Sequence, residues 1–374
     1  ATVIINGQPS EWLEIKRGCR QGDPISPYLF VLCAEILASM IKENKNINGI
    51  FTNQYEHKIS QFADDTQSLQ RGDRLTFEET IKMLEKFSSI SGLTMNCEKT
   101  SAIWLGSEKG SKKRYLPHLK MDWNPNRFKI LGIWFTANLI GCEEINYTEK
   151  FIEVKQLYKI WSKRILTPLG RIAVLKSLIL SKIVYLWTLL PNPPDEYMKA
   201  LGTFCLKFVW NNKQDRISRK TARKRVSDGG IGFPDVNCFM HALKLSWIRR
   251  LNDTQHKWKS VFTASYPTIE HLDKCGPNNL LTIADQNPFW KDVFQAYKII
   301  YYKIKPMKSA EALAEPLFFN DRINFHNDLL KRSEWIFNNV CYIADLCKDG
   351  SFLSYTEFMN SYNMKANFLT YMPQ

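Results

Sequence analysis

Apolar positions recur with two different periods along the 374 residues, and the change falls near Tyr147. Before it, short apolar runs alternate with turn residues. Thr2–Ile5 and Glu11–Ile15 flank NGQPS, and Asn6-Gly7 between them predicts a β-hairpin. Arg17–Pro27 (RGCRQGDPISP) carries two Gly and two Pro and reads as a loop. After Pro27 the apolar residues Leu29, Leu32, Cys33, Ile36, Leu37, Met40 and Ile41 fall at helical spacing and predict a largely buried helix. Gly49–Tyr55, Lys58–Phe62 and Thr66–Leu69 read as strands. Phe77–Gly92 reads as an amphipathic helix closed by Gly92, and Ser101–Leu105 and Lys129–Phe135 as further strands. From Tyr147 onward the period is helical. YTEKFIEVKQLYKIWSKRI and LGRIAVLKSLILSKIVYLWTLL are long periodic helices, Pro191–Pro194 breaks the run, and DGGIGFPD (Asp228–Asp235) is a turn-rich connector. The remainder is mostly helical and rich in aromatics. The pattern predicts an α+β protein.

Composition sharpens this in two ways. A hydrophobic content of 44% and an aromatic content of 13% mark a folded, core-forming chain. The net charge of +14 is not spread evenly: Lys150–Arg250 holds 20 Lys and Arg against 6 Asp and Glu, which leaves the rest of the chain balanced. A basic block of this kind fits a polyanionic partner, nucleic acid above all, or a solvated helical surface. The nine cysteines are scattered without a C-x-x-C pair, as in reduced thiols of an intracellular protein. The most apolar segment, Ile172–Leu190, is interrupted by Lys176, Ser177, Ser181 and Lys182. Its longest apolar run, Ile183–Trp187, is far shorter than the roughly 20 residues of a membrane span, so no membrane partner is expected.

The segment QFADDTQSL (Gln61–Leu69) places two adjacent carboxylates, Asp64 and Asp65, in a stretch with no other charge. Successive side chains of a strand point to opposite faces, so two Asp inside a strand would bury one charge at high cost. At a hairpin turn both can share one solvated pocket, where a cation relieves their repulsion. Mg²⁺ suits such a pair, because it takes carboxylate oxygens together with substrate phosphates. Two ions so held can activate an attacking hydroxyl and stabilise a leaving oxygen. Asp also favours turns for purely structural reasons.

Other motifs stand around this pair in a fixed order. Arg20, Gln21, Gly22, Asp23, Pro24, Ile25, Ser26 and Pro27 precede Phe62, Ala63, Asp64 and Asp65; then come SGLTMNCEKTSAIWLG (Ser91–Gly106), FKILGIWF (Phe128–Phe135), LTPLGRIAVLKSLILSKIVYLWTLLP (Leu166–Pro191), FVWNNK (Phe208–Lys213) and DGGIGFPDVNCFMHALKLSWIRRL (Asp228–Leu251). Over about residues 1–250 this series resembles the reverse transcriptases of non-LTR (LINE-type) retrotransposons. The resemblance implies a partial polymerase palm over 1–140, an antiparallel sheet with packed helices. After it would come a helical thumb over 141–195, a basic post-thumb connector over 196–255 and a helical, aromatic-rich region over 256–374. It implies RNA-directed DNA polymerisation, with an RNA template, a DNA primer, deoxynucleoside triphosphates and Mg²⁺ as partners.

Residue by residue, the resemblance makes Asp64 the principal metal ligand and Asp65 its partner. Gln21 and Gly22 would lie under the incoming nucleotide and template, with Arg20 near phosphate. Lys99 would stand near the leaving pyrophosphate. FKILGIWF would form the primer-grip hairpin. Arg164, Arg171, Lys176 and Lys182 on the thumb, and Lys213, Arg216, Arg219, Lys220, Arg223, Lys224 and Arg225 after it, would neutralise phosphates. The tryptophans Trp161, Trp187, Trp210, Trp247 and Trp258 are expected mainly in the core. The family's third catalytic aspartate and its fingers belong upstream of TVIINGQPSEW, and both ends of the chain read as cut from something longer. The isolated chain is therefore expected not to polymerise, with an incomplete two-ion site and an apolar sheet edge. A non-catalytic nucleic-acid-binding protein that keeps the thumb and basic block is the alternative.

Overall fold

The computed structural model describes residues 2–14, 18–19, 21–52, 54–252, 258–266, 276–284, 286–303, 313–318, 320, 335 and 338–362. It is α+β and divides into two units, Ala1–Ile140 and Gly141–Gln374.

The first unit is built from hairpins and two helices. Asn6 and Gly7, both at positive φ, turn the chain between β1 (Ile4–Ile5) and β2 (Gln8–Pro9). The hairpin is tighter than the sequence pattern implies. The two-residue turn sets Ile5 against Gln8, so the second strand is Gln8–Pro9 and Glu11–Glu14 lies outside it. The expected strand end at Ile15 lies outside the described residues. Helix α1 (Ser26–Glu43) begins at Ser26-Pro27, where a proline near the start costs no intrahelical bond. Helix α2 (Arg74–Ser91) is capped at both ends: the Asp73 carboxylate accepts from the Thr76 N–H at 2.7 Å, and Gly92, left-handed at φ 74°, donates to the Ser88 carbonyl. Leu37, Ile41, Ile47 and Phe87 form the core between the helices, each contributing roughly 1.5–3 kcal/mol by burial.

Helix α1 is not the largely buried helix its spacing predicts. Leu37, Ala38 and Ile41 are buried, but Leu29, Leu32, Cys33 and Ile36 in its first turns are exposed. The helix packs on α2 and on β5 (Ile59–Phe62) through its C-terminal half, and its N-terminal turns find no comparable cover within this unit. The strands likewise pair two by two rather than in one broad sheet. The expected strand Gly49–Tyr55 is itself a hairpin, β3 (Ile50–Thr52) against β4 (Tyr55–His57). The expected Ser101–Leu105 strand is only β7 (Ser101–Ala102), parallel to β8 (Asp122–Trp123). It stops because the Trp104 N–H is taken by the Asn124 side chain at 2.9 Å, while the Trp104 ring packs with Tyr115 and Trp123.

In the second unit, α3 (Cys142–Ser162) leads to α4 (Pro168–Val174). That helix continues through a π-helical turn (Leu175–Leu180) into α5 (Ser181–Leu189). By length and mean hydropathy (1.7) the run Pro168–Leu189 could cross a membrane. Here its apolar side is spent on protein: Ile172, Leu175, Ile179, Ile183, Leu186 and Trp187 are buried as α3, α6 (Asp195–Val209) and α8 (Val236–Asn252) pack against it. A second cluster joins α8, α9 (Trp258–Ser265), α10 (Pro277–Ile283) and α11 (Pro288–Lys303) around Leu251, Phe262, Trp290 and Phe294, with Trp247 and Trp258 against it. Trp187 and Trp210 are buried and Trp161 half-buried, in keeping with the expected core role of the tryptophans. Near the end, β11 (Cys347–Lys348) pairs with β12 (Ser351–Phe352), and α12 (Tyr355–Tyr362) seats Phe358 beside Trp335.

Candidate functional site

Asp64 and Asp65 sit at the tip of a hairpin, as the burial argument requires. Strand β5 pairs with β6 (Asp65–Ser68), Phe62 opposite Asp65, and Ala63-Asp64 form the turn. Ala63 has φ 52°, a left-handed conformation uncommon for a residue with a Cβ. Both carboxylates are exposed, and neither makes an ion pair with a described residue.

The base of this hairpin is anchored while its tip stands free. Lys58 is buried, and its ammonium donates to the carbonyls of Lys42 (3.1 Å) and Asn44 (2.9 Å), which end α1, and pairs with Glu56 at 3.5 Å. It thus caps a helix whose last carbonyls lack intrahelical donors. The Leu69 N–H donates to the Lys58 carbonyl, and Gln70 Nε2 reaches Thr80 of α2 at 2.8 Å. Ile59 packs into the core between the helices. The sequence reading missed Lys58; its only signal is a cation at the start of a short strand two residues after Glu56.

The other expected palm residues stand on separate elements. Gln21 and Gly22 are exposed in the turn before α1, where Gly22 has φ 90° and Asp23 accepts from the Ile25 N–H. Arg20 lies outside the described residues. Lys99 is exposed on a 3₁₀ turn, Cys97–Lys99, and its own N–H donates to the Asn96 side chain at 3.2 Å. No hydrogen bond or ion pair joins Lys99, Gln21 or Gly22 to the carboxylate pair among the described residues. FKILGIWF does form a hairpin, β9 (Phe128–Ile130) with β10 (Ile133–Phe135), turning at Leu131-Gly132, both at positive φ. Phe128 and Phe135 stack across it, whereas Lys129 pairs with Trp134, whose ring also lies under Arg127 at 4.7 Å.

A metal fits this donor set only in part. Two exposed carboxylates on a turn suit Mg²⁺, which binds through one or two carboxylates and completes its shell with water and phosphate. Among the described residues no group of three or more acidic, histidine or cysteine side chains is placed so that it could hold a metal ion.

The basic residues of the second unit separate into two kinds. Arg171 is buried and does not face phosphate. Its guanidinium donates to the carbonyls of Phe208 (3.2 Å), Arg164 (3.1 Å) and Ser162 (3.4 Å) and lies over the Phe208 ring. It holds the α3–α4 connection against α6, a structural task fixed by burial rather than by charge. Arg164, Lys176, Lys182, Lys213, Arg216, Arg219, Lys220, Arg223, Lys224 and Arg225 are all exposed. Helix α7 (Arg219–Arg223) carries the densest part, with Arg219 paired to Asp215 and Arg223 to Asp235.

A polar cluster that the sequence reading did not single out lies at the Pro191 break. The Thr188, Leu190 and Pro191 carbonyls at the end of α5 accept from Trp247 Nε1, Lys244 Nζ and the Tyr147 hydroxyl. Asp292 of α11 accepts from the Asn192 N–H at 2.6 Å. Burial pushes the Lys244 ammonium down to about 8, and it pushes the Asp292 carboxyl and the Tyr147 and Tyr197 hydroxyls up. Lys244 could have been found in the sequence: it falls on the apolar stripe Met240, Trp247, Leu251, at helical spacing.

Residues 2–135 match the profile of the reverse transcriptase (RNA-dependent DNA polymerase) family. That match lies within the first unit, Ala1–Ile140. The chain is 24% identical over 342 residues to the uncharacterised 149 kDa protein of transposon TX1 from Xenopus laevis, covering 85% of this chain and 25% of that protein. It is 22% identical over 317 residues to the retrovirus-related Pol polyprotein of a type-1 retrotransposable element R2 from Popillia japonica, covering 78% and 48%. A 70-residue stretch is 44% identical to an uncharacterised mitochondrial protein of Arabidopsis thaliana. The resemblance to non-LTR retrotransposon reverse transcriptases read from the motifs is therefore borne out, and the chain spans between a quarter and a half of the length of the first two relatives.

Proposed function

We propose that this chain is part of an RNA-directed DNA polymerase of a mobile element, and that Asp64 and Asp65 are two of the carboxylates that hold its catalytic Mg²⁺ ions. The observation that carries this is the exposed Asp64-Asp65 pair on the tip of an anchored hairpin, inside the stretch that matches the reverse transcriptase profile. Mg²⁺ in such a site supplies charge neutralisation for the attacking and leaving oxygens. The chain's own part is to fix two carboxylates side by side on a turn that Lys58 and Ile59 brace from below. Gln21 and Gly22 would contact template and nucleotide, and Lys99 would neutralise the pyrophosphate. The exposed cations of the second unit would hold primer and template in the nucleus or cytoplasm.

We further propose that the isolated chain leaves the site incomplete; in support, the pair belongs to no group of three possible metal ligands among the described residues. Primer extension on an RNA template with Mg²⁺ tests both statements. The chain alone gives no extension. Supplied with the fingers and first palm strands of a related element, it extends the primer, and Asp64→Asn abolishes that. Extension by the chain alone at about 1 s⁻¹ would overturn its inactivity, and undiminished extension by Asp64→Asn would overturn the role of the pair. The second reading, nucleic-acid binding without catalysis, is favoured by one observation: Lys213, Arg216, Lys220, Lys224 and Arg225 have no carboxylate partner among the described residues.

A further inference from the structure

We propose that the basic turn at 213–225, the glycine loop at 229–232 and Lys176 form one preassembled surface for the phosphate backbone of RNA, which works without metal and without the carboxylate pair. This rests on the nucleic-acid reading of the basic block and adds to it a fixed architecture.

Seven cations and one carboxylate lie between Lys213 and Arg225. Like charges at this density repel, so a structure that holds them together needs bonds that do not depend on the charges. The loop supplies them. The Gly230 N–H donates to the Arg225 carbonyl and the Gly232 N–H to the Lys224 carbonyl, both at 2.9 Å; the Phe233 N–H donates to the Ala222 carbonyl, also at 2.9 Å. Phe233 and Ala222 are buried beneath. The approach is close enough to demand glycine: a Cβ on Gly230 would stand 2.2 Å from the Lys224 carbonyl oxygen. The backbone at Ala222, Lys224 and Arg225 is thereby clamped, while the side chains of Arg223, Lys224 and Arg225 stay exposed.

Lys176 extends the same surface from another element. It lies exposed in the π-helical turn, and its Nζ is 3.8 Å from the point that a Cβ of Gly232 would occupy. Two cations, Arg219 and Arg223, are spent on Asp215 and Asp235. Lys176, Lys213, Arg216, Lys220, Lys224 and Arg225 are left for a polyanion. An anionic lipid surface is disfavoured, because the only helix in the turn has five residues and offers no apolar face to insert.

The test is fluorescence anisotropy of a labelled single-stranded RNA of about 20 nucleotides with the full chain in EDTA, across a salt series. Six neutralised phosphates give a log–log salt slope of about −4 on a single strand. Lys176→Gln and Lys220→Gln should each make it shallower by about 0.7. Gly230→Val removes no charge, yet by unseating the clamp it should weaken binding about tenfold at constant net charge. Unchanged affinity and slope in Lys220→Gln/Lys224→Gln, or capture by phosphatidylserine vesicles with no RNA binding, would overturn the proposal. Because EDTA removes the metal, the result stands or falls apart from primer extension.

Discussion

Lys244→Met measures what one buried cation costs this protein. Lys244 is fully buried, donates to the Leu190 carbonyl and lies 4.4 Å from the centroid of the Phe289 ring. Burial lowers its pKa from 10.5 to about 8, against the weaker attraction of Asp292. That drop corresponds to roughly 3 kcal/mol against the charged form in the folded state. The unfolded lysine keeps its proton up to about 10.5 and the folded one releases it near 8, so between these values the unfolded state binds more protons. The cost is therefore present in full below about pH 8 and is relieved as pH rises toward 10.5. Cys205, pushed up to about 12, works in the opposite direction above 9. Tyr147 and Tyr197 do the same above 10, and burial pushes the Asp292 carboxyl up. The difference between wild type and variant removes the Cys205, Tyr147 and Tyr197 contributions, while the Asp292 carboxyl, which the Lys244 charge draws down, moves further up in the variant. Methionine keeps the packing but leaves the Leu190 carbonyl without its donor, a constant loss of about 1–3 kcal/mol. Urea unfolding followed by tryptophan fluorescence should show the variant near or above wild type at neutral pH. By about pH 10 it should fall behind by a further 2–3 kcal/mol. A difference that stays constant from neutral pH to pH 10 would refute the reasoning.

Three further substitutions probe the scaffold. Arg171→Leu removes the guanidinium donor from the Phe208, Arg164 and Ser162 carbonyls and should cost about 3 kcal/mol in urea unfolding, with little change in the salt dependence of RNA binding. Lys58→Met uncaps α1 and should lower stability by about 2 kcal/mol; faster hydrogen exchange at Leu69, which bonds to Lys58, would report loosening at the base of the Asp64-Asp65 hairpin. Asp73→Ala removes the α2 N-cap and should cost about 1 kcal/mol by the same unfolding measurement, less than either of the others.

Much of the candidate site was legible because its chemistry is local. Adjacent carboxylates favour a turn, and Asn-Gly between apolar runs favours reversal of the chain, whereas Lys129–Phe135, read from its pattern as one strand, is a hairpin that turns at Leu131-Gly132. Phe77–Gly92 was read to within a turn of α2 because its cap glycine has no rival nearby. Local pattern failed where a group's partner is distant in sequence. Arg171 and Arg164 look alike as basic residues next to thumb helices, yet one is buried on three carbonyls and the other is exposed. Helix α1 shows the converse: its apolar stripe was correctly read, but burial needs a covering surface and only its C-terminal half meets one.

By itself, then, the sequence determined the α+β class, the order of motifs, the hairpin that carries Asp64 and Asp65, and the location of the positive charge. These depend on turn chemistry, periodicity and composition, which act over a few residues. Tertiary structure alone decided which cations are structural and which are free, that Lys58 braces the hairpin from the end of α1, and that Gly230 clamps the basic turn beside Lys176. Each of these is a contact between segments far apart in the chain, fixed by where buried carbonyls find donors and where a missing Cβ lets two backbones meet.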